Sequence, residues 1–114
     1  MSSMNITLVL GARPQIIKSA PFIHLANKDK QIRLDIIHTG QHYDYEMSQQ
    51  FIQELKLPQP KYGYKVQACS HGLQTARIMA FIEKVLKKIE TNIVLVEGDT
   101  NGVLASALAA VKLA

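Results

Sequence analysis

A chain of 114 residues has the length of one domain, and its hydrophobic fraction of 47% and charged fraction of 19% exclude a disordered, collagenous or coiled-coil protein. Its 13 Lys and Arg against 9 Asp and Glu leave a net charge of +4. The densest basic clusters, Lys28–Lys30 and Lys84–Lys88, have acidic neighbours at Asp29, Glu83 and Glu90. That pattern marks solvated faces and argues against a nucleic-acid surface, while a modest positive balance suits a small anionic ligand.

Ile6–Leu10 is a short apolar run closed by Gly11 and reads as a buried strand. Pro14 then occupies a first helical position, and Ile16, Ile17, Ala20, Ile23 and Leu25 supply the apolar side of a helix to about Asn27. Ile32–Ile37 reads as a second strand, ending in the polar turn His38-Thr39-Gly40-Gln41-His42, with a shorter helix from about Tyr43 to Leu55. The stretch from Leu57 to Lys65 reads as loop, with a short edge strand over Tyr62–Val66. Ser70 is a candidate N-cap for a long helix ending near Glu90, with Ile78, Ile82, Val85 and Ile89 on one face. Ile93–Val96 is a further strand, and Asp99 or Thr100 caps a last helix that runs on to the end of the sequence.

Strands alternating with helices predict an α/β fold, a Rossmann-like parallel sheet with helices on both faces. The last helix shows no closing Gly, Asn or Pro, and a helix after an interior strand normally leads to another strand. The expectation is a partial domain whose sheet has an open edge, where unpaired backbone groups invite pairing. The single cysteine, Cys69, excludes an internal disulfide framework and a Cys-rich zinc site, and reads as an inert small residue. No run approaches the ~20 apolar residues of a membrane span, and no basic segment precedes the first apolar run. The expectation is a cytoplasmic chain with neither signal peptide nor membrane contact.

In open parallel sheets ligands gather outside the carboxyl ends of the strands. Three polar clusters fall there: Gly11-Ala12-Arg13-Pro14-Gln15, His38-Thr39-Gly40-Gln41-His42 and Gly98-Asp99-Thr100-Asn101. Arg13 stands at a helix start, where free N–H groups and the helix dipole favour an anion, and Lys18 lies little more than a turn further on. The pair reads either as a phosphate or carboxylate clamp or as two solvated cations. His38 and His42 lack a third ligand for a metal and read as rim histidines or donors to a ligand. Asp99 has two competing roles, a helix cap and a carboxylate that orients a base or hydroxyl. His24 reads as a surface residue. The glycine fingerprints of dinucleotide and nucleoside-triphosphate sites are absent.

At these clusters the sequence resembles the N-terminal part of the non-hydrolysing UDP-N-acetylglucosamine 2-epimerases. That family opens with Gly-Thr-Arg-Pro-Glu and a lysine three residues later, and here the stretch is Gly11-Ala12-Arg13-Pro14-Gln15-Ile16-Ile17-Lys18. Thr39-Gly40-Gln41-His42 matches a second family turn, Ser70-His71-Gly72-Leu73-Gln74-Thr75 a Ser-His-Gly-Glu-Gln-Thr helix start, and Val94–Thr100 the pattern Val-Leu-Val-x-Gly-Asp-Thr. Four motifs in order are far more specific than any one alone.

The resemblance implies residues 1–114 of a glycosyltransferase-B-like fold: a partial N-terminal Rossmann-like domain without the C-terminal nucleotide-binding domain. It implies interconversion of UDP-GlcNAc and UDP-ManNAc through elimination and re-addition of UDP, without a cofactor or metal. By motif, Asp99, Arg13 and Lys18 would be catalytic, and Gly11, Arg13, Pro14, Gln41 and His42 would bind substrate. The implied partners are a UDP-sugar and either a second copy in a homodimer or a missing C-terminal half, so the isolated chain is expected to be inactive. A non-catalytic nucleotide-sugar-binding or assembly module, or a relict of a split gene, is the alternative. Three departures bear on this. Gln15 replaces an acidic residue beside Arg13, Leu73 replaces a Glu that could complete a capping box with Ser70, and Gln67-Ala68-Cys69 replaces the usual Gly-Ser-Gly.

Overall fold

The short apolar runs become the strands of one parallel sheet, and the longer periodic stretches become the helices that cover it. The computed structural model describes residues 4–11, 13–98 and 100–113, and the side chains of residues 13 and 41–44 lie outside that description. The elements follow as β1 (Met4–Leu10), α1 (Arg13–Lys28), β2 (Ile32–Gln41), α2 (His42–Glu54), β3 (Tyr62–Val66), α3 (His71–Lys88), β4 (Ile93–Leu95) and α4 (Asn101–Leu113). The strand order is β3-β2-β1-β4, and each neighbouring pair is parallel.

Successive residues of a strand face opposite sides, so a doubly covered strand must be apolar at every position. In β1 and β2 the faces divide cleanly. Leu8, Leu10 and Ile36 pack with Ile16 and Ile23 of α1 and Ile52 of α2, whereas Val9 and Ile37 pack with α3 and α4. On that second face Ile78, Ile82 and Val85 form the predicted stripe of α3, with Ala105 and Ala109 of α4 beside it. Each fully buried Ile or Leu stabilises the fold by about 1.5–3 kcal/mol relative to exposure. The small alanines let α4 lie close to the sheet and to α3.

The boundary that differs most in consequence is the end of β2. The segment His38–Gln41, read as a turn, continues β2. Pairing with both neighbours draws it into the sheet: Leu10 of β1 opposes His38, and β3 is in register with Ile37–Gln41. The short strand at Tyr62–Val66 is therefore what extends β2.

Helix capping follows the side chains. The Leu73 N–H donates to Ser70 Oγ at 3.3 Å, so Ser70 is the N-cap of α3. Thr100, one of the two candidate caps for α4, makes a capping bond: its Oγ1 accepts the Val103 N–H at 3.3 Å, while Asp99 lies outside the described residues. Leu73 is exposed at the third position of α3, where a glutamate could reach back to the Ser70 N–H. We expect Leu73→Glu to stabilise the chain by about 0.5 kcal/mol, read as a small rise in thermal midpoint at low salt. A fall in midpoint would show that Leu73 packs usefully where it stands.

Candidate functional site

Because the strands are parallel, the loops after β1, β2 and β4 emerge on one side, together with the N-termini of α1, α2 and α4. The loops after β1 and β4 are tied together by Gln15, which is only 5% exposed. Its Oε1 accepts the Gly11 N–H at 2.7 Å, and its Nε2 donates to Thr100 Oγ1 at 3.3 Å. The Gly11 carbonyl in turn accepts the Ser48 hydroxyl of α2 at 2.9 Å. One amide thus spans from the end of β1 to the start of α4, and one backbone residue is held from two helices.

The fit around Gln15 is close. Gly98 has φ +110°, and a Cβ there would stand 2.9 Å from Gln15 Nε2, so both the backbone conformation and the space call for glycine. Next along, Ser19 Oγ of α1 donates to Glu97 Oε2 at 3.4 Å. On the other side Asn101 Nδ2 donates to Gln74 Oε1 at 2.9 Å and lies 2.9 Å from His71 Nδ1, which joins the starts of α3 and α4.

The predicted site residues distribute as follows. Gly11 is half-buried at the end of β1, with Pro14 and Lys18 exposed on the first turns of α1. Arg13 opens α1, Gln41 ends β2 and His42 opens α2, but the side chains of these three lie outside the described residues. Asp99 lies wholly outside them, although its chain neighbours Gly98 and Thr100 both border the Gln15 side chain. Among the described residues no three His, Cys, Asp or Glu side chains converge as metal ligands. None of their helices is long and apolar enough to cross a membrane.

His38 does not stand on the rim. It shares the face of Ile36, beneath α2, and is fully buried with its ring stacked on Tyr45 at 4.0 Å between centroids. Among the described residues neither ring nitrogen has a hydrogen-bond partner. Burial pushes its pKa down to about 4, against smaller opposing pulls from the Gln49 side chain and the Glu46 charge. The extension of β2 explains the difference, since a turn would have exposed the ring. Gln15 is the converse case: read as a lost charge, it is a buried brace. The signal available was its spacing, four residues after the glycine that ends the first strand.

A cleft of about 540 Å³ lies elsewhere, lined by Leu86, Ile89, Val94, Ala110 and Leu113 among others. It sits at the amino ends of β1 and β4, across the sheet from the rim.

A family model described as UDP-N-acetylglucosamine 2-epimerase matches residues 24–114, most of the chain. The chain belongs to that family. A UDP-N-acetylglucosamine 2-epimerase from Methanocaldococcus jannaschii is 47% identical over 96% of this chain and 30% of its own length. The UDP-2,3-diacetamido-2,3-dideoxy-D-glucuronate 2-epimerase of Pseudomonas aeruginosa is 42% identical, covering 96% of this chain and 31% of its own. The crystal structure of the M. jannaschii enzyme in complex with UDP-GlcNAc and UDP superposes with a TM-score of 0.88 at 47% identity, over 96% of this chain and 30% of that one. The chain therefore spans about 30% of the length of these epimerase relatives.

Proposed function

We propose that this chain forms one wall of a UDP-sugar 2-epimerase site, with UDP-GlcNAc and UDP-ManNAc as the interconverted pair. The observation that supports the reading is the Gln15 brace, which ties Gly11 at the end of β1 to Thr100 before α4. In the reaction a base removes the C2 proton. The C–H electron pair becomes the C1–C2 double bond, and the C1–O bond breaks with its electrons leaving on UDP. Re-addition of UDP with protonation on the other face inverts C2.

Such a step needs cationic or N–H donors where negative charge grows on the departing diphosphate. Arg13 and Lys18 at the start of α1 are assigned that role, with Asp99 as the carboxylate that handles or orients a proton. Gly11, Pro14, Gln41 and His42 are assigned to substrate contact. No cofactor takes part, and the setting is cytoplasmic, where the product would feed polysaccharide synthesis. A second wall, from a C-terminal nucleotide-binding domain or a partner copy, completes the cleft. Holding reactants in register is worth roughly 7–11 kcal/mol of a barrier, so this chain alone is expected not to turn over.

Titration of the isotope-labelled chain with UDP-GlcNAc tests this. We expect amide shifts at Gly11, Lys18 and Gly98, none at Leu113, and no exchange of the sugar C2 proton with solvent. No shifts at the rim up to millimolar ligand would overturn the assignment, and C2 exchange by the isolated chain would overturn the need for a second wall. A parallel titration with the diacetamido-glucuronate sugar nucleotide decides between the two substrate types of its relatives. Binding that is never converted into turnover once a second wall is supplied would favour the non-catalytic module.

A further inference from the structure

The rim carries a carboxylate that the epimerase reaction does not use, and the register of the sheet places it. Leu95 of β4 pairs with Leu8 of β1, so Glu97 stands about level with Leu10, the last residue of β1. Partners in a parallel ladder share a face, and Leu8 and Leu10 face α1 while Val94 and Val96 turn to α3 and α4. Glu97 accordingly meets α1, where its Oε2 accepts the hydroxyl of Ser19, itself only 4% exposed. Gln15 and Ser19 lie one turn apart on that helix, so the contact to Glu97 sits directly behind the brace to Thr100.

Glu97 is half-buried, and Gly98 beside it is exposed. Among the described residues no lysine or arginine forms an ion pair with Glu97. The Ser19 hydroxyl takes one of about four acceptor positions on the carboxylate, which leaves capacity for donors from a ligand. Two residues of chain separate Glu97 from Asp99, a span of at most about 7 Å. That is comparable to the breadth of a hexose ring. With Asp99 assigned to the C2 proton, a group at Glu97 faces substituents further round the same ring.

We propose that Glu97 sets the sugar specificity of the site, accepting hydrogen bonds from the hydroxyls of an uncharged hexosamine and repelling a sugar that bears a carboxylate. This rests on the reading of the rim as a UDP-sugar site, and it names the sugar class that the site takes. UDP-GlcNAc presents hydroxyls at C3, C4 and C6, each able to donate to a carboxylate. UDP-2,3-diacetamido-2,3-dideoxy-D-glucuronate has an acetamido group at C3 and an ionised carboxylate at C6. At C6 it offers Glu97 no donor and brings a like charge beside a half-buried one. Overall likeness does not make this choice, since the M. jannaschii and P. aeruginosa relatives are 47% and 42% identical over 96% of this chain each. A single charge at the end of β4 does.

The isotope-labelled chain and its Glu97→Gln variant are titrated with UDP, UDP-GlcNAc and the diacetamido-glucuronate nucleotide. The glutamine keeps an acceptor for the Ser19 hydroxyl and removes only the charge. We expect the parent to bind UDP-GlcNAc about tenfold or more tighter than the glucuronate nucleotide. The variant should close that gap to within about threefold by gaining affinity for the glucuronate nucleotide. UDP, which has no sugar, should gain no more than about twofold, because the charge acts on the sugar end. A smaller preference in the parent, or a gap that survives in the variant, overturns Glu97 as the determinant and leaves the UDP-sugar site standing. An equal gain for UDP and the glucuronate nucleotide also overturns it, and makes Glu97 a general charge acting on the diphosphate. No rim shift with UDP-GlcNAc is a different failure: the site reading falls, and the specificity falls with it. The preference of the parent is read without any variant, so the test does not depend on how Glu97→Gln folds.

Discussion

Gln15→Ala is expected to lower the stability of the chain by about 2–3 kcal/mol, because truncation strips partners from two elements at once. The Gly11 N–H loses its acceptor, Thr100 Oγ1 loses a donor, and the space of a buried amide is left against Gly98. A half-buried donor without a partner costs about 1–3 kcal/mol, and the cavity adds to that. Gln15→Glu separates geometry from polarity. A carboxylate still accepts the Gly11 N–H, and the Thr100 hydroxyl can turn to donate to it while accepting from Val103. We expect that variant to remain within about 1 kcal/mol of the parent at neutral pH. Urea unfolding of the three proteins is the measurement, and a loss below about 0.5 kcal/mol for Gln15→Ala would remove Gln15 as the brace of the rim. The same variant should lose the UDP-GlcNAc-induced shifts at Gly11 and Gly98 before that at Lys18, since Gly11 and the β4–α4 loop are what Gln15 holds.

Much of this arrangement was legible in the residues, for identifiable reasons. The continuous apolar run Leu8-Val9-Leu10, the stripe of Ile78, Ile82 and Val85, and the Ser70 cap are local signals that tertiary contacts reinforce. The parallel sheet and the clustering of three loops followed from strand–helix alternation alone. What escaped reading was long-range. Whether His38 lies in a turn or a strand is decided by a partner strand more than twenty residues away, and its burial by Tyr45 on the next helix. Gln15 was read by its charge because its partner Thr100 is remote in sequence. Asp99 and Thr100 were both candidates for the α4 cap, and the bond that the Val103 N–H makes to Thr100 lies outside what local sequence could show. The strand-end chemistry was therefore visible as a set of positions, whereas the bracing that orients it was not.

His38 carries the second large effect, and its sign follows from the direction of its shift. Its folded pKa of about 4 lies below the ordinary 6.5, so the folded chain refuses a proton that the unfolded chain accepts. Above pH 6.5 neither state is protonated and the contribution is constant. As pH falls from 6.5 towards 4, the unfolded state gains a proton and stability is lost, by up to about 3 kcal/mol. His38→Phe keeps a ring stacked on Tyr45 and has nothing to titrate. That variant also removes two buried nitrogens without partners among the described residues, which should raise stability at pH 7 by about 1 kcal/mol provided the slightly larger ring is accommodated. The exposed His24 and His71, and the Glu46–Lys65 pair beside Tyr45, are common to both proteins and cancel in the difference. Unfolding free energies of parent and variant from pH 7.5 to 4.5 should accordingly diverge below pH 6.5, with the parent falling faster. Parallel profiles would mean that His38 reaches a partner or solvent on protonation, and that the ring under Tyr45 is not sealed.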